Sequence, residues 1–211
     1  MTHVFTTHKH ADHSGGNLSL AETWPGLKVI GGKEDNIPGC TNPVEDGTVI
    51  SGSTIGLPGV TIRCMHVPCH TKAHILYYCE VEQSSTDISI ASNVLKEGVY
   101  QKVEGNIRLV FTGDTVFLGG CGRFFEGVPK QMLSALDRFA LLPDDTRVYC
   151  GHEYTLSNLD FALKVEPSNE HILKYKELCT NLVDSGRFTV PGIVSGEKLY
   201  NVFMRCRESA I

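Results

Sequence analysis

Short apolar runs separated by polar turns occupy the first 150 residues, and their spacing predicts a mixture of strands and helices. The runs are rich in β-branched and aromatic residues and are bounded by turn-forming residues, as strands usually are. From Val128 the apolar residues instead recur at helical spacing, with Pro129 in the first turn and Pro143 at the end. The predicted strands are 4–7, 28–30, 49–50, 60–65, 74–79, 108–112 and 148–150, the predicted helices are 16–22 and 128–142, and 34–43 is a predicted loop.

The pattern becomes helical after residue 154. Thr155 is a candidate cap for a helix through Val165, and Ser168 is a candidate cap for the next one. Residues 82–106 are polar and rich in Ser and Gly, which predicts a surface excursion of unassigned role. We therefore predict a mixed strand-and-helix domain at 1–153 and a helical region at 154–211.

The composition excludes several classes of partner. A net charge of −5 gives no basic field to attract nucleic acid or anionic lipid, and no apolar run is long enough to span a bilayer. Eight scattered cysteines without a signal peptide indicate reduced thiols inside a cell. We expect a monomer in the cytoplasm, and a longer amino terminus would leave a mitochondrial location open.

Four metal-binding side chains lie within six positions near the amino terminus. In the motif T-H-K-H-A-D-H, His8 and His10 are two residues apart, so both can face one ion at the end of a strand. Asp12 and His13 follow where the chain turns and can face a second ion. Histidine is rarely fully buried, and Asp almost never is unless paired, so a packing role for all four is costly.

Three further candidate ligands each follow a predicted strand, namely His70, Asp114 and His152. Strand-end loops at one sheet edge can assemble a site from distant residues. Seven ligands exceed the needs of one catalytic zinc ion and suit two divalent ions that share an activated hydroxide as the nucleophile. In this two-ion arrangement His8, His10 and His70 hold one ion, Asp12, His13 and His152 hold the other, and Asp114 bridges them. His74 is expected to orient a ligand.

These residues resemble a known group of proteins. The motif at 7–13 and the three later positions match the ligand signature of the metallo-β-lactamase superfamily. Four other stretches are similar to glyoxalase II, the hydroxyacylglutathione hydrolases, and they are 68–71, 119–127, 149–155 and 203–205.

The resemblance implies an α/β fold, a four-layer αββα sandwich whose site lies at one edge between two sheets, followed by a helical region that binds substrate. It implies hydrolysis of the thioester S-D-lactoylglutathione, and of related S-2-hydroxyacylglutathiones, to glutathione and the hydroxy acid. Two divalent ions are expected, Zn first, with Fe or Mn open. Relative to the family, the first strands and a basic carboxy-terminal tail are expected to be missing.

The resemblance also implies three substrate-binding positions. The family binds glutathione through a Lys and a Tyr of its glycine-rich loop and a Tyr after the last ligand. Here Arg123 stands for the Lys and keeps the positive charge, whereas Phe125 stands for the Tyr without its hydroxyl. Tyr154 matches the third position.

Two alternatives stay open at this stage. One is a mononuclear iron enzyme that resembles the persulfide dioxygenases. The other is a weakly active paralogue, or a fragment that serves as a binding module, which the missing ends suggest.

Overall fold

The structure is a computed structural model that describes residues 1–82 and 105–208. Most of the polar segment predicted at 82–106 therefore lies outside the described residues.

The first sheet contains three parallel strands in the order β1-β2-β3, which are β1 (His3–Phe5), β2 (Lys28–Gly32) and β3 (Asn42–Val44). Two short helices, α1 (Ala11–Ser14) and α2 (Asn17–Thr23), connect β1 to β2. The prediction of a continuous loop at 34–43 is wrong at its end, because β3 pairs along β2. A strand of three residues with a central proline gives no periodic signal, and proline is tolerated in an edge strand.

The second sheet contains six strands in the order β11-β10-β7-β6-β5-β4. Its central strands coincide with the strongest apolar runs. The strands are β4 (Val49–Ser51), β5 (Val60–His66), β6 (Ile75–Val81), β7 (Ile107–Gly113), β10 (Arg147–Cys150) and β11 (Gly192–Ile193). A separate hairpin, β8 (Val116–Phe117) with β9 (Gly120–Cys121), follows β7 and was not predicted.

Three apolar clusters define four layers, so the predicted αββα sandwich is confirmed. Alternate residues of β6 face opposite sides, since Tyr77 packs between the two sheets and Leu76 packs towards helix α3 (Pro129–Ala140). On the outer side of the first sheet, Val29 packs with Leu20 of α2. Burial on both faces explains why β6 is a continuous apolar run rather than an alternating one.

The carboxy-terminal region is helical, as predicted. It contains α4 (Thr155–Val165), α5 (Glu170–Asp184) and α6 (Val194–Tyr200), which share a buried cluster. Both predicted caps are wrong. Thr155 is the first helical residue and its hydroxyl contacts Thr189, whereas Asn169 caps α5 by accepting from two backbone amides. Within the described ranges, no helix combines the length and the apolar character needed to cross a membrane.

A buried carboxyl group joins α6 to the hairpin. Oε2 of Glu197 accepts hydrogen bonds from the amide of Gly119 at 3.0 Å and from Nδ2 of Asn201 at 2.8 Å. The side chain is completely buried. Burial raises the pKa of Glu197 to about 7, although both hydrogen bonds oppose the rise. The folded protein therefore keeps Glu197 protonated up to a higher pH than the unfolded chain does.

We expect Glu197→Gln to change how stability depends on pH. Because the folded-state pKa is raised, the stabilisation is complete below pH 4.5 and is lost as pH rises through about 7. The unfolding free energy of E197Q relative to the unmodified protein should therefore rise over this range, by up to about 3 kcal/mol. Urea unfolding at several pH values measures this, with the exposed Glu177→Gln as control. Parallel curves for E197Q and the unmodified protein would contradict the expectation.

Candidate metal centre

The seven predicted ligands converge at the edge where the two sheets meet. His8 follows β1 of the first sheet, whereas Asp114 directly follows β7 and His152 follows β10 of the second. Strands β7 and β10 are parallel neighbours, so their carboxyl ends lie side by side. The loop between β5 and β6 brings His70 to the same place.

The first group of donors consists of three ring nitrogens. Nδ1 of His10 lies 3.1 Å from Nε2 of His8 and 3.0 Å from Nε2 of His70. All three nitrogens are within 4.8 Å of one another.

The second group contains a carboxylate and two ring nitrogens. Nε2 of His13 lies 3.3 Å from Nε2 of His152, and Oδ2 of Asp12 lies 3.5 Å and 3.3 Å from these two atoms. These atoms again lie within 4.8 Å of one another.

Asp114 contacts both groups. Its Oδ1 is 3.1 Å from Nε2 of His13, while its Oδ2 is 3.5 Å from Nε2 of His70 and 3.4 Å from Nε2 of His152. The two oxygens of this one carboxylate thus contact nitrogen donors in both the first and the second group.

The spacing of the donors fits metal ions. Two nitrogens bound at about 2.0–2.1 Å to a tetrahedral zinc ion are about 3.3 Å apart. Two separations in the first group and all three in the second are 3.0–3.5 Å, close to this value. Ring nitrogens at such distances, with their lone pairs directed inward, are stabilised by a shared cation.

The electrostatics keep the donors in the forms that bind metal. Burial, and then the neighbouring histidines, lower the pKa of His8 to about 2, and burial also lowers the pKa of His70. Burial would raise the pKa of Asp114, but the hydrogen bond and charge of His13 outweigh it and the net shift is downward. For His13, burial lowers the pKa, yet Asp114 and Asp12 produce a net rise. Metal ligands must be deprotonated, so these shifts favour metal binding at His8, His70 and Asp114 and oppose it at His13.

Hydrogen bonds fix the tautomers of two histidines. Nδ1 of His70 lies 3.0 Å from the carbonyl oxygen of Arg123, which can only accept, so Nε2 keeps its lone pair for the site. His74 is fully buried, and its Nε2 accepts from the amide of Asp114 at 3.2 Å. Its Nδ1 lies 3.2 Å from Oγ1 of Thr115. His74 therefore orients Asp114, in agreement with the prediction.

Three glycines allow the backbone to approach Asp114 closely. A Cβ at Gly122 would overlap the carbonyl of Asp114, and a Cβ at Gly151 would overlap its Oδ1 and lie 2.8 Å from Cε1 of His13. Gly113 adopts φ +48° and leaves room for Thr7. A larger residue at Gly151 would displace the carboxylate of Asp114, one at Gly122 would displace its backbone, and one at Gly113 would displace Thr7 and His74.

The predicted substrate residues border the site on two sides. The ring of Phe125 lies edge-on to His10 and His70, with centroid distances of 5.6 and 5.2 Å. Tyr154 stacks on His152 at 5.0 Å. Arg123 is exposed and lies two residues before Phe125 in the same glycine-rich loop.

Glu126, which was not predicted as a functional residue, holds this loop in place. Oε1 of Glu126 lies 2.6 Å from Nζ of Lys9, and its Oε2 accepts from the amide of Lys72 at 2.9 Å. Glu126 thus ties the glycine-rich loop to both segments that carry the first group of ligands. Acidic residues are so common in loops that the sequence alone does not indicate this role for Glu126.

Solved structures place this fold in a known class. ETHE1 from Myxococcus xanthus aligns over 95% of this chain and 61% of its own length, with a TM-score of 0.56 and 23% identity. A metallo-β-lactamase from Staphylococcus aureus aligns over 97% of this chain and 48% of its own, with a TM-score of 0.56 and 19% identity. The chain therefore has the metallo-β-lactamase fold.

Sequence relatives narrow the class to one family. A protein of Arabidopsis thaliana named hydroxyacylglutathione hydrolase cytoplasmic is 40% identical over 203 residues, or 96% of this chain and 69% of the plant protein. The hydroxyacylglutathione hydrolase of Dictyostelium discoideum is 37% identical over 99% of this chain and 69% of its own. Residues 153–211 match the family model for the hydroxyacylglutathione hydrolase C-terminus. The chain belongs to the hydroxyacylglutathione hydrolase family.

We expect Gly151→Ala to weaken metal binding while the fold is kept. The added methyl group overlaps Oδ1 of Asp114, and displacing a group that orients ligands typically lowers metal affinity by about 10–100-fold. Competition with a chromophoric chelator measures the affinity for Zn²⁺, and circular dichroism checks the fold. Gly16→Ala is the control, because a Cβ there meets nothing within 4 Å. Equal affinities of the two variants would contradict the expectation.

Proposed function

We propose that this protein hydrolyses S-D-lactoylglutathione and related S-2-hydroxyacylglutathiones to glutathione and the corresponding hydroxy acid. The observation that carries the proposal is a complete set of seven converging donors in a chain that aligns with hydroxyacylglutathione hydrolases over 96–99% of its length.

The proposed cofactors are two divalent metal ions, with Zn first and Fe or Mn as alternatives. His8, His10 and His70 would hold one ion. Asp12, His13 and His152 would hold the other, and Asp114 would contact both. Mixed imidazole and carboxylate donors suit all three metals.

Such ions lower the pKa of bound water to about 7 and polarise a carbonyl group. The chain's own residues prepare the place where this happens. Asp114 supplies negative charge between the two groups of donors, and the rings of Phe125 and Tyr154 border the site on opposite sides. The thiolate of glutathione is a weak base and leaves without help from a protein acid.

The cysteines beside the site are unsuited to covalent catalysis. Burial raises the pKa of Cys121 to about 12 and that of Cys150 to about 11, and it also raises the pKa of Cys69. A protonated thiol is a poor nucleophile. This supports direct attack by water rather than an acyl-enzyme.

The geometry favours this reaction over a mononuclear iron dioxygenase. A second complete group of donors stands beside the first, whereas one iron ion would need only one group. The likeness to ETHE1 is 23% identical and concerns the fold.

We also propose that the protein is a cytoplasmic monomer. The name of the Arabidopsis relative and the scattered, unpaired cysteines support this location. Light scattering of the purified protein tests the monomer.

The decisive experiment combines a metal count with a thioester assay. The protein, purified and loaded separately with Zn²⁺, Fe²⁺ or Mn²⁺, should bind two ions per chain and hydrolyse S-D-lactoylglutathione. One iron ion per chain with oxygen uptake would instead establish the dioxygenase. Two ions without thioester hydrolysis would leave a binding module or a hydrolase for another substrate.

We expect Arg123→Met to raise KM about tenfold with little change in kcat, because a charge-assisted contact to a substrate carboxylate contributes about 1.5 kcal/mol of binding. Initial rates over a range of S-D-lactoylglutathione concentrations separate the two constants. Lys130→Met removes one exposed positive charge from the start of α3 and serves as the control. If both variants keep the original KM, Arg123 does not bind substrate.

A further inference from the structure

Asp35 is a second fully buried acidic residue, besides Glu197, outside the set of seven ligands. Asp35 is 0% exposed and stands in the turn that follows β2, where its own amide bonds to the carbonyl of Gly32 at 3.1 Å. An aspartate is almost never buried this completely unless its oxygens are bound.

Each oxygen of Asp35 accepts a backbone amide from a different ligand-bearing segment. Oδ2 accepts from the amide of Lys9 at 2.7 Å, and Oδ1 accepts from the amide of Ala73 at 3.2 Å. Lys9 stands between two ligands of the first group, and Ala73 lies three residues after the third. One side chain therefore joins both segments that carry this group.

The backbones of the two segments also bond directly to each other. The amide of Ile75 bonds to the carbonyl of Thr7 at 2.9 Å, immediately before His8. A Cβ at Gly32 would overlap the carbonyl of Ala73, so the end of β2, which leads into Asp35, lies directly against the loop that carries His70. Asp35 bridges the two segments because a carboxylate presents acceptors on both oxygens and so satisfies both amides.

We propose that Asp35 is the positioning residue of the first group of donors and leaves the second group largely unaffected. This inference rests on the proposed metal centre. Asp12, His13 and His152 are carried by α1 and by the loop after β10, which Asp35 does not contact among the described residues. A purely structural role would weaken both groups alike.

Asp35→Asn tests the proposal, because its amide nitrogen would face a backbone N–H and cannot accept. The variant is made in two backgrounds, His152→Ala, which disables the second group, and His10→Ala, which disables the first. Zn²⁺ affinity is measured by chelator competition in each. Asp46→Asn is the matched control, since Asp46 also accepts a backbone amide, that of His66 at 2.8 Å.

The expected result is a loss of about 10–100-fold in the His152→Ala background and of less than about threefold in the His10→Ala background. The control should change neither background by more than about threefold. Equal losses in both backgrounds, or none, overturn the proposal.

Two further outcomes keep the test decisive. If D35N does not fold, Asp35→Glu replaces it, because the longer side chain keeps the charge but drives the two segments apart, and the same selective loss is required. If neither parent background nor the unmodified protein binds Zn²⁺, the proposed metal centre fails and the role of Asp35 fails with it. If the unmodified protein binds two ions but D35N weakens both groups of donors equally, only the proposed role of Asp35 is refuted.

Discussion

The carboxylate of Asp114 is the contact on which the whole centre depends, because its oxygens lie within 3.5 Å of nitrogen donors in both groups. Ring nitrogens that face one another at 3.0–3.3 Å share either a proton or a cation, and the negative charge of Asp114 favours the cation. Asp114 directly follows β7, which lies between β6 and β10 in the middle of the six-stranded sheet. A strand that is paired on both sides thus fixes the position of the backbone at Asp114.

The close packing around Asp114 requires backbone without side chains. Gly122 and Gly151 leave space for atoms of Asp114 itself, and Gly113, directly before it, leaves space for Thr7 and His74. Glycine weakens regular structure through its conformational freedom, but here two of the three lie just beyond a strand, where the ladder has already ended. The glycine-rich loop therefore does two things, since it clears the space around Asp114 and carries Phe125 to the histidines.

The ligands and the main strands could be predicted because their chemistry and periodicity are local. His70 and His152 follow apolar runs that the structure confirms as strands, and helix Thr155–Val165 ends at the predicted residue. Strand β3 and the hairpin β8–β9 were missed because two or three residues contain no period. The cap at Ser168 was wrong by one residue, since Asn169 offers an equally good acceptor.

The supporting carboxylates could not be predicted for a different reason. Asp35, Glu126 and Glu153 accept backbone amides, and any residue type except proline supplies such a donor, so no partner can be identified from the sequence. Glu153 illustrates this, because it directly follows His152 yet bonds to Thr189 of the helical region, at 2.9 Å to its amide and 2.7 Å to its hydroxyl. A chain that keeps all seven ligands therefore does not necessarily keep the centre. The ligand motif specifies which atoms can bind metal, and these carboxylates bond to the backbone of the loops that carry those atoms or directly adjoin them.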